Sequence, residues 1–192
     1  PLPTLATWGL TRDAEIIEPG EAAARKRLGH FLDGPIGDYG ATRNVPLGGA
    51  NSRLSQDLRH GTLSIREVYA KCAALAAAEP RQARSIGIYV NELIWREFYQ
   101  MLLYHHPHVV NHAYKPQFDG LAWLNDKDKF AAWCKGRTGY PLVDAGMRQL
   151  WHQGWMHNRV RMVVASWLTK HMAIDWRQGA AWFMHTLVDA DL

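Results

Sequence analysis

Cysteine is close to absent: Cys72 and Cys134 stand alone in 192 residues with no paired-thiol spacing. That excludes a disulfide scaffold and a zinc site built on Cys pairs, and a reducing, cytoplasmic setting is expected. No apolar run reaches the roughly 18 residues that cross a bilayer, and no charged-then-apolar stretch opens the chain, so neither a membrane span nor a secretory leader is expected. There is no alternating apolar and polar segment, no repeat and no low-complexity tract, which removes the usual signatures of strands and solenoids. His105, His106, His108 and His112 cluster, but Pro107 breaks the helix there and no Cys or Asp completes a ligand set, so no metal is expected. Excess charge is also small. Lys and Arg number 22 against 18 Asp and Glu, a net +4 that suits a polyanionic partner without demanding one.

What is present is a globular composition, 47% apolar and 21% charged, with nine tryptophans. A chain of this length buries about 70% of its unfolded surface as one domain. Residues 1–19 hold three prolines and little periodicity and read as an extended lead-in. From Pro19-Gly20 onward helical spacing dominates. Helices are expected over Glu21 to Phe31, over an alanine-rich stretch opened by a Ser64-Ile-Arg-Glu67 capping box, and over Arg81 to His105, the longest. Others are expected over Asp126 to Lys135, Pro141 to Gln153, His157 to His171 and Trp176 to Val188. Asp33-Gly-Pro-Ile-Gly-Asp38 reads as a turn cluster, Tyr39 to Ser52 as a structured loop, and Ser52 or Ser55 as the cap of a short helix. The fold class is all-α.

Trp155-Met-His-Asn-Arg-Val-Arg-Met162 is the most informative stretch. Gly154 is suited to a left-handed cap, after which Asn158, Arg161 and Met162 share a helical face, placing an amide, a cation and a thioether on one wall. On spacing alone, a helix start with solvated arginines reads equally well. Asn91-Glu-Leu-Ile-Trp-Arg-Glu-Phe-Tyr99 puts Tyr89, Glu92, Trp95 or Arg96, and Tyr99 along one face. There spacing alone favours Trp95 and Phe98 as core with Glu92 and Arg96 as a surface ion pair. Gly48-Gly-Ala-Asn-Ser-Arg-Leu-Ser55 gathers the small residues and hydroxyls with which a loop brings N–H groups to a pyrophosphate. Asp189 and Asp191, near the chain end, otherwise read as fraying.

Together with Gly136-Arg-Thr-Gly-Tyr-Pro-Leu-Val-Asp-Ala-Gly-Met147, the string Gly-Trp-Met-His-Asn-Arg-x-Arg resembles the DNA photolyase and cryptochrome family, closest to its class I cyclobutane pyrimidine dimer photolyases. The resemblance covers roughly Gly20 to Leu192 and implies the family's multi-helix FAD-binding domain, with residues 20–192 binding FAD and DNA. The N-terminal α/β antenna domain, and any antenna chromophore with it, is expected to be absent, and the C-terminal end to be incomplete. The implied activity is light-driven repair of dimers in DNA by electron transfer from reduced FAD to a flipped-out dimer. A monomer is expected. The chain on its own is expected to hold flavin poorly and to be inactive.

The resemblance implies roles residue by residue. Trp95 stacks on the dimer, Glu92 and Asn158 bond its polar edge, and Met162 presses on it. Arg43, Arg96 and Arg159 grip the DNA strand together with Glu92, Trp95 and Asn158. Tyr39, Asn51, Ser52, Arg53, Leu54, Ser55, Tyr89, Arg96, Trp155, Arg161, Asp189 and Asp191 hold FAD, with Asp189 paired to Arg161. Asn51 stands where the family has threonine and Gln56 where it has proline. Trp123 and Trp176 match the outer and middle members of an electron-relay chain. Trp133, Trp151, Trp167 and Trp182 are taken as core. Two alternatives stay open: a cryptochrome-like photoreceptor that binds FAD without repair, and a helical DNA-binding module without cofactor.

Overall fold

The computed structural model describes Thr7 and residues 14–191. Of the expected lead-in, residues 14–19 carry no regular element, and the rest, Thr7 apart, lies outside the described residues. Among the described residues there are nine α-helices and no strand, so the fold is all-α. They divide into two compact units, 19–123 with 189–191 and 14–18 with 124–188.

The first unit contains α1 (Glu21–Leu32), α2 (Pro35–Thr42), α3 (Ser55–His60), α4 (Ile65–Ala78) and α5 (Ala83–His105). Each long helix buries residues at helical spacing: Ala24, Leu28 and Phe31 on α1, Val68 and Cys72 on α4, Ile86, Tyr89 and Leu93 on α5. Burial pushes the Cys72 thiol up to about 11, so it stays protonated in the core. Residues 35–42 correct the sequence reading, since the expected turn and the start of the expected loop are helix α2. Pro35 sits in the first helical turn, where its missing N–H costs nothing. Gly40 lets α2 lie directly on α5, its N–H donating to Ser85 Oγ at 2.7 Å while Ser85 donates to the Ile36 carbonyl at 2.7 Å. A Cβ at Gly40 would stand 3.0 Å from Ile88 Cδ1.

Two capping expectations also change. Leu54, not a serine, occupies the N-cap of α3 and makes no side-chain cap bond. Ser64 does precede α4, but its hydroxyl does not cap. Glu67 turns instead to Lys71 at 3.1 Å and Arg25 at 3.6 Å, because ion pairs to cations compete with the reach back to a backbone N–H.

The second unit contains α6 (Lys127–Cys134), α7 (Pro141–Gln153), α8 (Asn158–Ser166) and α9 (Trp176–Thr186). Asp126 caps α6 by accepting from the Asp128 and Lys129 N–H groups, both at 3.0 Å. Val143, Met147 and Leu150 of α7 pack on Val160 and Val164 of α8 around the fully buried Trp133, whose indole N–H donates to the Val164 carbonyl at 3.0 Å. Gly146 makes that approach possible, since a Cβ there would lie 2.5 Å from Val160 Cγ1. Helix α8 is shorter than expected: Trp167–His171 winds into a π turn, with the Met172 N–H bonding the Trp167 carbonyl. The end of α9 is earlier than expected too, because residues 187–188 leave the helix and the Val188 N–H pairs with the Gly154 carbonyl at 2.8 Å. Trp151 is a further correction: it is 51% exposed, stacked at 6.3 Å on the half-buried Trp182, and both line a cleft of 510 Å³. Its place on α7 lies beyond the Val143, Met147 and Leu150 face that meets the core.

Candidate functional site

In the first unit, Glu92 projects from α5 and forms an ion pair with Arg43 at the C-cap of α2. The surface pair Glu92 with Arg96 is therefore not formed. Arg96 instead contacts Glu97 at 3.1 Å, the Leu58 carbonyl at 3.4 Å and Asp191 at 3.9 Å. Trp95 and Phe98 are not core either: Trp95 is 52% exposed, Phe98 40% and Tyr99 57%. The three rings pack on one another, Trp95 to Phe98 edge-on at 5.5 Å and Trp95 to Tyr99 at 6.0 Å. The result is a contiguous exposed aromatic cluster on one helix beside a charged pair, the kind of patch that makes a candidate interaction surface.

One turn earlier on α5, Tyr89 is buried among Phe31 at 4.8 Å and Tyr39 at 5.2 Å. Ser52 lies beside its hydroxyl. Burial holds the Tyr89 phenol far above its ordinary range. Tyr39 is raised by burial first and by the Glu92 charge second, with the Arg43 charge and hydrogen bond opposing. Both rings thus stay neutral and keep an O–H to donate. The loop they border holds Asn51 and Ser55 at the surface and Leu54 in the core. Arg53 within it has φ 52°, a conformation that side chains other than glycine seldom adopt.

Asp191 does not fray. Arg59 reaches it at 3.6 Å and donates through Nε to the Ala190 carbonyl at 2.6 Å, so Asp191 sits between Arg59 and Arg96. Arg59 was missed in the sequence, where a cation in the last turn of a short helix reads as solvated. Asp189 is buried. Trp123, also in this unit, is half-buried.

In the second unit, Gly154 takes the expected left-handed cap with φ 60°, and Trp155, Met156 and His157 behind it are buried. His157 caps α8, its Nδ1 accepting from the Arg159 N–H at 3.1 Å. Asn158, Arg159 and Met162 are exposed on α8, with Arg159 reaching the Met162 sulfur at 3.6 Å. Arg161 is half-buried and its Nε donates to the Met156 carbonyl at 2.7 Å. Trp176 opens α9 with Arg177 over its ring at 5.0 Å, and Asp175 fixes that guanidinium at 3.0 Å. Among the described residues no three His, Cys, Asp or Glu side chains gather to hold a metal.

The family profile described as the FAD binding domain of DNA photolyase matches residues 89–192, more than half of the chain. The chain belongs to the DNA photolyase family. It is 47% identical over its whole length to a deoxyribodipyrimidine photo-lyase of a Synechococcus strain, of which it covers 40%. Among solved structures, it is similar to a bacterial class III photolyase from Agrobacterium tumefaciens with TM-score 0.85 and 45% identity, over 90% of this chain and 36% of that one. It is also similar to a Synechocystis cryptochrome with TM-score 0.88 and 33% identity, over 98% of this chain and 40% of that one. The chain thus spans about 40% of the length of these relatives. No helix of the described residues is long and apolar enough to cross a membrane.

Proposed function

We propose that residues 20–192 form the FAD- and DNA-binding part of an enzyme that repairs cyclobutane pyrimidine dimers with light, residues 1–19 serving as its lead-in. The observation that carries this reading is the exposed Trp95 cluster next to the Arg43–Glu92 ion pair. Packing alone would have turned Trp95 inward, and the face it presents instead suits two joined, uncharged pyrimidine bases with a polar edge.

The residues present fit FAD: an open loop with exposed Asn51 and Ser55, two neutral phenols in Tyr39 and Tyr89, and the cations Arg59 and Arg96. Asn51 to Ser55 would hold the pyrophosphate, with Tyr39, Tyr89, Arg96, Trp155, Arg161, Asp189 and Asp191 lining the rest of the cofactor. The chemistry that FAD supplies when bound is light-driven electron transfer, and Trp123 and Trp176 are suited to relay electrons to it.

The chain's own residues bind and orient the lesion. Extruding the two joined bases costs a few kcal/mol, less where the lesion is already badly paired and stacked, and Trp95 offsets part of it by stacking. Glu92, held by Arg43, accepts from the polar edge of the bases, Asn158 donates to a carbonyl, and the Met162 thioether fills the remaining apolar contact. Arg43, Arg96 and Arg159 offer cations to phosphates, a sequence-independent contribution that weakens with salt.

A cryptochrome-like photoreceptor is the second reading, supported by the likeness to the Synechocystis cryptochrome. It needs FAD but no dimer face, so Trp95, Asn158 and Met162 favour repair. The flavin part is tested by titrating FAD and riboflavin into this chain extended to the length of its relatives. FAD should bind about tenfold more tightly, because only FAD carries the pyrophosphate that the loop would hold. Equal affinity would remove the loop from the cofactor site.

A further inference from the structure

Arg53 adopts φ 52° and is held on both sides. Its N–H donates to Asn51 Oδ1 at 3.0 Å, and its carbonyl accepts from Gln56 Nε2 at 2.6 Å. A non-glycine residue in this region costs free energy and persists only where its surroundings over-determine it. Gln56 is anchored in turn, since its Nε2 also donates to Asp57 Oδ2 at 2.9 Å. Asp57 is locked by a two-pronged pair with Arg27 of α1, Nε to Oδ2 at 3.1 Å and Nη2 to Oδ1 at 2.7 Å. Thr62 Oγ1 adds a donor to Asp57 Oδ1 at 3.0 Å. The Asp57 and Arg27 side chains are only 3% and 16% exposed.

A buried ion pair of this kind contributes little net stability, because desolvating two charges offsets their attraction. Its geometry is another matter, since a fork of two charge-assisted bonds fixes the carboxylate in place and direction. Each contact then passes that order along: Arg27 orients Asp57, Asp57 orients Gln56, and Gln56 fixes the Arg53 carbonyl. The segment so fixed is the one read as the pyrophosphate loop.

We propose that Arg27, Asp57 and Gln56 are positioning residues that hold the loop Asn51 to Ser55 in its cofactor-binding conformation through a buried polar relay. This rests on the flavin reading of that loop. The relay sets how much of the chain is competent for the dinucleotide, and it does not itself touch the cofactor.

The test compares the chain, extended to the length of its relatives, with Gln56→Ala, which cuts the relay but leaves the ion pair, with Asp57→Asn, which removes the charge of the pair, and with Gln56→Pro. Amide hydrogen exchange at Arg53 is read without any ligand, and affinities for FAD and riboflavin are measured separately. In Gln56→Ala, exchange at Arg53 should rise about tenfold while the Tyr89 and Leu93 amides of α5 stay unchanged, and FAD should bind about tenfold more weakly with riboflavin unaffected. Gln56→Pro should keep FAD affinity near that of the parent. Should Asp57→Asn fail to fold, Gln56→Ala still decides. Unchanged exchange at Arg53 in Gln56→Ala overturns the relay, whatever happens to FAD. Faster exchange with undiminished FAD affinity overturns the loop's cofactor role and leaves the relay standing as a local brace.

Discussion

Trp95→Ala separates binding from folding. Trp95 is 52% exposed and its ring contacts are edge-on or tilted, to Phe98 at 5.5 Å and Tyr99 at 6.0 Å. Aromatic pairs of this kind contribute about 0.5 to 1.5 kcal/mol, so the loss to folding should stay near about 1 kcal/mol, roughly 2 to 4 °C in Tm for a chain of this size. If the ring stacks on an extruded dimer, its removal costs about 1 to 3 kcal/mol of binding, about 5- to 150-fold, and only on DNA that carries the lesion. Fluorescence anisotropy with two duplexes, identical but for one thymine dimer, reads the difference. The variant should lose most of the preference for the damaged duplex while binding the intact duplex as the parent does. Equal losses on both duplexes, or a Tm drop of tens of degrees, would refute the assignment and make Trp95 a structural or non-specific contact.

Glu92→Gln keeps the shape of the side chain and removes the charge that Arg43 pairs with. In the FAD-loaded protein it should lower repair per absorbed photon more than it lowers affinity for the damaged duplex, as quantum-yield and binding measurements would show, if its bond strengthens as the dimer opens. Gly146→Ala should destabilise by about 1 to 3 kcal/mol in urea unfolding, because its Cβ meets Val160 Cγ1 at 2.5 Å in a packed interface. Asp144 gives a pH signature. Burial alone would raise its pKa, but bonds from the Thr138 side chain and backbone and from the Gly139 N–H, with the Arg148 charge, outweigh it and hold the carboxyl below its ordinary 3.8. The stability it contributes is therefore complete above pH 3.8 and lost as pH falls through the lowered folded value. Asp144→Asn should flatten the acid side of the stability curve in thermal melts.

Helix periodicity made most of the architecture legible, because α5, α7 and α8 each carry an apolar stripe that a 3.6-residue repeat displays directly. Helix α2 was hidden because glycine and proline are read as turn formers. Here Pro35 occupies a first helical turn and Gly40 serves close packing on α5, a reason that exists only once α5 is in place. The face of α5 was legible as a set of residues but not in its direction: spacing alone turned Trp95 and Phe98 inward, whereas both are exposed. Glu92 found its partner in Arg43, far away in the chain, and a local i to i+4 rule has no access to such a pairing. The Arg27 and Asp57 fork was invisible for the same reason. Trp151 shows the opposite failure, where an apolar residue type was taken for a core position.

The most direct measurement is dimer loss under blue light, using this chain extended to the length of its relatives, with reduced FAD and a duplex carrying one thymine dimer both shown to be bound. The account predicts that the dimer is removed in the light, that none is removed in the dark, and that Trp95→Ala slows removal at limiting DNA. A protein that binds both FAD and the damaged duplex yet leaves every dimer intact under light would contradict it and favour the photoreceptor reading.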